Sequence, residues 1–302
     1  MDDAPRIVLV AIYFGRLPDY IGLWLQSCAA NPGIDWLLIC DQPGRIEPPG
    51  NVTVHRSSLD EIRAMLSEAL GFAVALPTAY KLCDFRPVYW TILDRLGWTY
   101  DYWGHCDVDV YFGRLLDFVG PPIRAGYDRI FGLGHLSILR NSPLAKLAFA
   151  LPSRAPAWRA IFTRGANFGF DEHRGVNRTW RAWRLRYHED ESVVADIDPG
   201  FDSPRLAHLP GNRRGQVFGV DATGAVVQRV AGSPGAGRAF AYLHFQKRAM
   251  RIGVDSAPFL VARDGFVPWR DGVRGAGLAW REWPRLARAW LRFFRKRCGW
   301  VR

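Results

Sequence analysis

The residues best placed to do chemistry are two aspartates, Asp107 and Asp109, in the aromatic, strand-like run from Tyr102 to Phe112. Carboxylates at i and i+2 of an extended strand project to the same side. Where the strand gives way to a loop, both can converge on one hard cation. Mg2+ or Mn2+ held by one or two carboxylates keeps positions open for a substrate diphosphate. The chemistry this pair suggests is neutralisation of a nucleoside diphosphate as it leaves a sugar. Two acids on a solvated loop are the plain alternative, because Asp-x-Asp recurs by chance.

Other side chains could join them. His105, two and four residues before the aspartates, faces the same side of an unbroken strand, as a third ligand or as a hydrogen-bond partner to the ligands. Lys81 and Asp84 are three apart and share a face if that segment is helical. Asp84 can accept ribose or sugar hydroxyls, or simply pair with Lys81. Asp171 and Glu172 follow a glycine-rich loop. An acid there can deprotonate an acceptor hydroxyl if burial lifts its pKa towards neutrality, or it can cap a helix. Lys247 and Arg248, after a late strand, form a basic pair suited to a diphosphate or to solvent.

The elements that must position these residues alternate. Ile7–Tyr13 and Trp36–Cys40 are continuous apolar runs suited to strands covered on both faces, and Val52–His55 reads as a third strand. Pro18 opens a helix with Ile21, Leu25 and Cys28 on one stripe, which Asn31-Pro-Gly ends. Ser58 and Glu61 form a capping box for a helix to about Leu70. A helix over Leu82–Leu96, kinked by Pro87, leads to a strand over Asp101–Val110. This alternation predicts an α/β fold, a doubly wound, mostly parallel sheet with ligands beyond the carboxyl ends of its strands. There Asp41, Asp107 and Asp109 fall. The second half is less regular. It reads as a strand over Ile130–Leu139, a short helix over Pro143–Ala150, a loop from Phe162 to His173 and a helix over Arg178–Arg186. A hairpin over Gln216–Val230 turning at Asp221–Gly224, a link over Ser233–Gly237 and a strand over Tyr242–Phe245 follow.

Composition bounds the rest. A chain of 302 residues, 49% apolar and 23% charged, buries a large core. The five cysteines are scattered, with no Cys-x-x-Cys pair, so a reducing compartment is expected. No apolar run approaches the length of a membrane span and the N-terminus lacks the features of a signal peptide. Net charge is +11, but residues 278–302 hold eight Lys/Arg against Glu282 alone. Nucleic acid is therefore not the expected partner. In that tail Trp283, Leu286, Trp290, Leu291 and Phe294 recur at helical spacing, with Arg281, Arg285, Arg288, Arg292 and Arg295 opposite. Such an amphipathic helix suits an anionic membrane surface, or packs on the domain with its arginines in solvent. The organisation expected is one catalytic domain over 1–275, with a nucleotide-binding half (1–120) and an acceptor half (121–275), then a basic tail (276–302).

Several motifs in consistent order carry a resemblance. Tyr80-Lys-Leu-Cys-Asp-Phe-Arg-Pro87 precedes Trp103-Gly-His-Cys-Asp-Val-Asp109. Gly134-His-Leu-Ser-Ile-Leu-Arg140, Phe170-Asp-Glu-His173 and Leu243-His-Phe-Gln-Lys-Arg248 follow. In this the chain resembles GT-A glycosyltransferase-like proteins of bacterial polysaccharide gene clusters. The order also echoes GT-A transferases that place Ser-Asp-x-x-Arg before their Asp-x-Asp; here Arg86 follows Asp84 by two residues, not three. The resemblance implies a GT-A fold, a nucleoside-diphosphate-sugar donor, Mn2+ or Mg2+, and a late histidine, His244, completing the metal site with Asp107 and Asp109. It places Asp84, Arg86 and Lys81 against the donor and suggests His135 and Arg140 for the acceptor side. A glycan or lipid-linked acceptor, with the enzyme at the cytoplasmic face of the membrane, fits the tail. Two rivals stand beside it. In a haloacid-dehalogenase-type phosphatase, Asp107 and Asp109 would be nucleophile and acid. In a non-catalytic module the transferase fold would only bind glycan or membrane.

Overall fold

The computed structural model describes residues 4–44, 46–201, 203–207, 209–230, 237–246 and 248–269. They sort into two compact units. One comprises the residues up to Leu17, Asn31–Val108 and Val119–Asp190; the other comprises Pro18–Ala30, Asp109–Phe118 and the residues from Glu191 on. The chain is mixed α/β. No helix among the described residues is long and apolar enough to cross a membrane.

The first unit is built on a seven-stranded sheet. Its order is Val52–Arg56, Asp35–Cys40, Ile7–Tyr13, Tyr102–Cys106, Leu136–Arg140, Arg129–Leu133 and Tyr187–His188. The first four are mutually parallel, as the continuous apolar runs of the early chain require. Ile7–Tyr13 lies in the interior of the sheet, and every residue from Ile7 to Ala11 is buried, the pattern of a strand covered on both faces. Strand order reverses beside it, so the crevice beyond its carboxyl end, next to that of Tyr102–Cys106, is the topological switch point where such sheets take ligands. The loops there are tied together: Gly15, at φ +94°, donates its N–H to Asp41 Oδ1 at 2.8 Å. Around the sheet Trp103, Phe85, Phe162, Phe170 and Trp180 share one core.

Local expectations and structure part in four places. The capping box at Ser58 and Glu61 forms, and the helix Leu59–Leu70 ends on Gly71 in the left-handed region. The single helix expected over Leu82–Leu96 is instead a 3-10 helix, Ala79–Val88, then a short α-helix, Trp90–Arg95; Pro87 has no N–H to continue an α-helical ladder. The strand expected over Asp101–Val110 stops at Cys106 and resumes at Val110–Phe112, leaving the acid pair in the break. The strand expected over Ile130–Leu139 is a hairpin, Arg129–Leu133 and Leu136–Arg140, turning at Gly134-His135. The helix expected over Arg178–Arg186 is Val176–Ala182, ending before Arg184 at φ +48°.

The second unit holds two sheets. One has six strands, ordered Arg238–Phe240, Val226–Val230, Gln216–Val220, Phe259–Val261, Gly265–Pro268 and Arg251–Ile252. It contains the expected hairpin, whose turn is pinned by Asp221 Oδ1 accepting from the N–H groups of Thr223 and Ala225. The last three strands carried no alternation long enough to read beforehand. The other sheet has three strands, Val110–Phe112, Tyr242–His244 and Val194–Asp196. Phe218, Leu243, Phe245, Phe259 and Phe266 fill this unit's core. The link at Ser233–Gly237 lies mostly outside the described residues, and the tail beyond Trp269 wholly so.

Candidate functional site

In the first unit the functional side chains gather on one guanidinium. Arg86 is buried at the end of the 3-10 helix. Its Nη1 donates to Asp171 Oδ2 at 2.7 Å, and its Nη2 pairs with Asp107 Oδ1. Burial opposes the Arg86 charge, but the two carboxylates outweigh it and hold the guanidinium well above its ordinary pKa. Asp171 responds in the other direction. Burial pushes its carboxyl up, Arg86 draws it part of the way back, and Glu172 adds a further upward push, leaving it at about 6.

The hairpin turn closes over this cluster. Gly134 donates its N–H to Glu172 Oε1 at 2.8 Å, and His135 O accepts the Asp107 N–H at 3.2 Å. A Cβ on Gly134 would come within 2.3 Å of Glu172 Oε1, 2.8 Å of Arg86 Nη1 and 2.9 Å of Asp171 Oδ2. Only glycine lets the turn approach so closely. This explains the glycine of the Gly134-His135 motif, which residue spacing alone does not.

Lys81 and Asp84 are fully buried as an ion pair of 2.7 Å. Lys81 Nζ also donates to Ile161 O at 2.9 Å and Ala166 O at 2.6 Å. Asp84 accepts the N–H groups of Phe168 at 3.0 Å and Phe170 at 2.8 Å. The pair thus fixes the loop that delivers Asp171; neither side chain faces solvent, where a donor hydroxyl would have to reach it. His105, expected to face the acids, is buried with its ring edge-on to Tyr89. Burial, then the charges of Arg86 and Arg129, push its imidazole well below the ordinary range, so it stays neutral. Arg140 is exposed and lies 3.6 Å from Asp128.

Sequence reasoning missed Arg129. It is buried, with Nε donating to Ser137 Oγ at 3.0 Å and Nη2 to the Asp171 carbonyl at 3.4 Å. Its guanidinium lies over the rings of Trp180 and Tyr187. Ser137 in turn donates to the carbonyl of Phe131, which sits at φ +60° in the hairpin's bulge. An arginine at the start of a short strand gives no signal of such a role.

In the second unit three residues line up through strand register. His244 pairs with Val110 on one side and with Asp196 on the other, while Asp109 O accepts the Phe245 N–H at 3.1 Å. The side chains follow: His244 Nε2 lies 3.5 Å from Asp109 Oδ2, and Nδ1 lies 2.8 Å from Asp196 Oδ1. Gln246 Nε2 donates to the same Asp196 oxygen at 2.8 Å. Burial lowers the basicity of His244, and its hydrogen bonds to the two aspartates more than reverse this, raising it to about 10. Asp196 was missed, because Val194–Asp196 is too short to read as a strand.

The donor set suits a hard divalent ion. Carboxylate oxygen serves both Mn2+ and Mg2+, and an imidazole nitrogen is accepted by Mn2+ more readily than by Mg2+; adjacent ligands on an octahedral ion at ~2.1 Å stand roughly 3 Å apart. The Asp109–His244 separation of 3.5 Å is close to that span. Asp107 belongs to the first unit and Asp109 to the second, with only Val108 between them in the chain. Of the basic pair, Lys247 lies outside the described residues. Arg248 donates from Nε to Phe245 O at 2.7 Å and from Nη1 to Arg263 O at 3.1 Å.

Residues 9–269 match the model of a family of unknown function, DUF6625. No curated protein matches the chain. Among solved structures, mouse xyloside xylosyltransferase 1 in its apo form aligns at 9% identity and a TM-score of 0.39, over 64% of this chain and 88% of that one. A glycosyltransferase involved in glycosylation of the major capsid of PBCV-1 aligns at 12% identity and a TM-score of 0.33, over 64% and 85%.

Proposed function

The chain belongs to this family of unknown function, and we propose that it is a metal-dependent glycosyltransferase of the GT-A type. It would move a sugar from a nucleoside-diphosphate sugar to a glycan or lipid-linked glycan in bacterial surface polysaccharide synthesis. The observation that carries this reading is the approach of His244 to Asp109. A histidine 135 residues after the second acid lies beside it through strand register, at the position where the motif order suggests a late ligand.

Asp107, Asp109 and His244 are the residues that would hold Mn2+ or Mg2+. The ion would supply positive charge to the departing diphosphate. Arg86 keeps Asp107 oriented and carries a permanent charge at the carboxyl end of the sheet, where a nucleotide is expected. Lys81 and Asp84 act on the donor side indirectly, by fixing the loop that ends in Asp171. Arg248 and Lys247 would meet the phosphates. Of the two candidate bases, Glu172 is the less buried and is aimed by the Gly134 N–H. The Asp171 carboxyl is raised by burial to about 6 but is paired with Arg86. Asp171 and Glu172 together stand as the candidates to take the proton of the acceptor hydroxyl, with Glu172 the nearer to solvent, and a base there implies inversion at the anomeric carbon. Residues 1–275 would carry the catalytic function, and residues 276–302 would hold the protein to the inner face of an anionic membrane.

The test is release of nucleoside diphosphate from a panel of UDP- and GDP-sugars, with Mn2+ or with EDTA. Turnover that needs the metal and falls about 10²–10⁴-fold in Glu172→Gln or Asp171→Asn, with donor binding retained, is expected. Turnover indifferent to EDTA, or absent with every donor, contradicts the reading.

A further inference from the structure

Asp196 has no role in the reading proposed for the metal site, yet its carboxylate lies at hydrogen-bond distance from Nδ1 of His244. The geometry points to Asp196 as a positioning residue that sets the tautomer and orientation of His244, so that Nε2 is the nitrogen offered to a divalent cation. This rests on the metal reading of Asp109 and His244 and adds to it the residue that makes the imidazole a ligand.

Strand register makes the arrangement. Tyr242–His244 lies between Val110–Phe112 and Val194–Asp196, and His244 pairs directly with Asp196. The Ile197 N–H donates to His244 O at 2.9 Å, so backbone and side chain are coupled at one step of the ladder. On the ring, Nδ1 meets Asp196 Oδ1 at 2.8 Å, a hydrogen-bond distance, and Nε2 faces Asp109 Oδ2 at 3.5 Å. Both partners are aspartate carboxylates, the Asp196 oxygen at hydrogen-bond distance and the Asp109 oxygen farther away. With a cation between Nε2 and Asp109, a proton kept on Nδ1 would satisfy Asp196 and leave the Nε2 lone pair for the cation. A ligating histidine whose second nitrogen donates to a carboxylate has its tautomer fixed and its basicity raised.

Asp196 is itself held. Gln246 Nε2 donates to the same oxygen at 2.8 Å, from a backbone at φ +55°. That conformation is uncommon for a side chain larger than glycine, and here it turns the glutamine back towards the strand it has just left. The chain thus supports His244 through Asp196, and Asp196 through a residue two positions after His244.

The experiment uses the full chain as wild type, Asp196→Asn, Asp196→Ala and His244→Gln. Mn2+ affinity is measured by electron paramagnetic resonance of the free ion. The tautomer is read from ring nitrogen shifts of ¹⁵N-histidine-labelled protein with Mg2+, the His244 signals being those lost in His244→Gln. Asp196→Ala should weaken Mn2+ binding about 10–100-fold and turn a single Nδ1–H tautomer into a mixture. Asp196→Asn, which can still accept from Nδ1, should keep the tautomer and lose less affinity. Affinity and tautomer both unchanged in Asp196→Ala overturn the assignment. Abolished Mn2+ uptake with the tautomer unchanged overturns it too, and would make Asp196 a ligand instead. Wild-type protein that takes up no Mn2+ sinks the metal reading and this inference together, whereas wild-type uptake that neither variant alters sinks this inference alone.

Discussion

Two carboxylate clusters in this molecule differ in the cation at their centre. In the first unit Asp107 and Asp171 share the guanidinium of Arg86. In the second, Asp109 and Asp196 share the imidazole of His244. A guanidinium does not give up its proton in a protein, so its charge compensation is permanent. An imidazole can exchange a proton for a metal ion, because ligation requires its neutral form. The lesson is that similar acid pairs serve different ends. The arginine cluster fixes geometry, and the histidine cluster is where a cation can enter.

The largest effect should come from breaking the permanent cluster. Arg86→Ala leaves buried Asp171 and partly exposed Asp107 without their shared cation, and removing one partner of a buried pair costs about 3–5 kcal/mol. Chemical denaturation should show that loss, with part of it restored when Asp171→Asn is added. A midpoint unchanged in Arg86→Ala would mean that the guanidinium is not the hub. The histidine cluster should respond in metal binding. Asp109→Asn should weaken Mn2+ binding about 100-fold or more, measured by calorimetry, in line with loss of a direct ligand. Equal affinity would remove Asp109 from the metal site.

Smaller effects sharpen the contrast. Gly134→Ala forces a methyl group into Glu172, Arg86 and Asp171, and overpacking of that kind costs about 1–3 kcal/mol. The same change at Gly224, where no atom lies within 4 Å but φ is +79°, tests backbone strain alone. Asp171 supplies a pH signature. Its folded pKa of about 6 stands above the ordinary value of 3.8, so its contribution to stability is fully present below pH ~4 and is lost as pH rises through 6. Relative to Asp171→Asn, wild-type stability should therefore fall between pH 4 and pH 7, by up to ~3 kcal/mol. Parallel stability curves for the two proteins would show that the carboxyl is not raised.

How much of this was legible follows from how local each signal is. The parallel strands, the capping box and the Gln216–Val230 hairpin were readable because apolar runs, Ser-x-x-Glu and Asp-x-x-Gly are local devices. The acid pair was readable as a pair. Its surroundings were not, since the strand stops at Cys106, and the cation each aspartate meets is decided by residues 21 positions back for Asp107 and 135 positions on for Asp109. Lys81 and Asp84 were visible as a pair, but their burial depends on the 161–170 segment folding over them. Arg129 and Asp196 were hidden for a related reason, because both act from short strands whose partners are distant in the chain.

The most direct measurement is Mn2+ binding followed by electron paramagnetic resonance in wild type, His244→Ala and Asp171→Asn. One ion per chain, released by His244→Ala and retained by Asp171→Asn, is the expected result. No bound ion, or an ion that His244→Ala leaves in place, would contradict the division between a fixed and an exchangeable cluster.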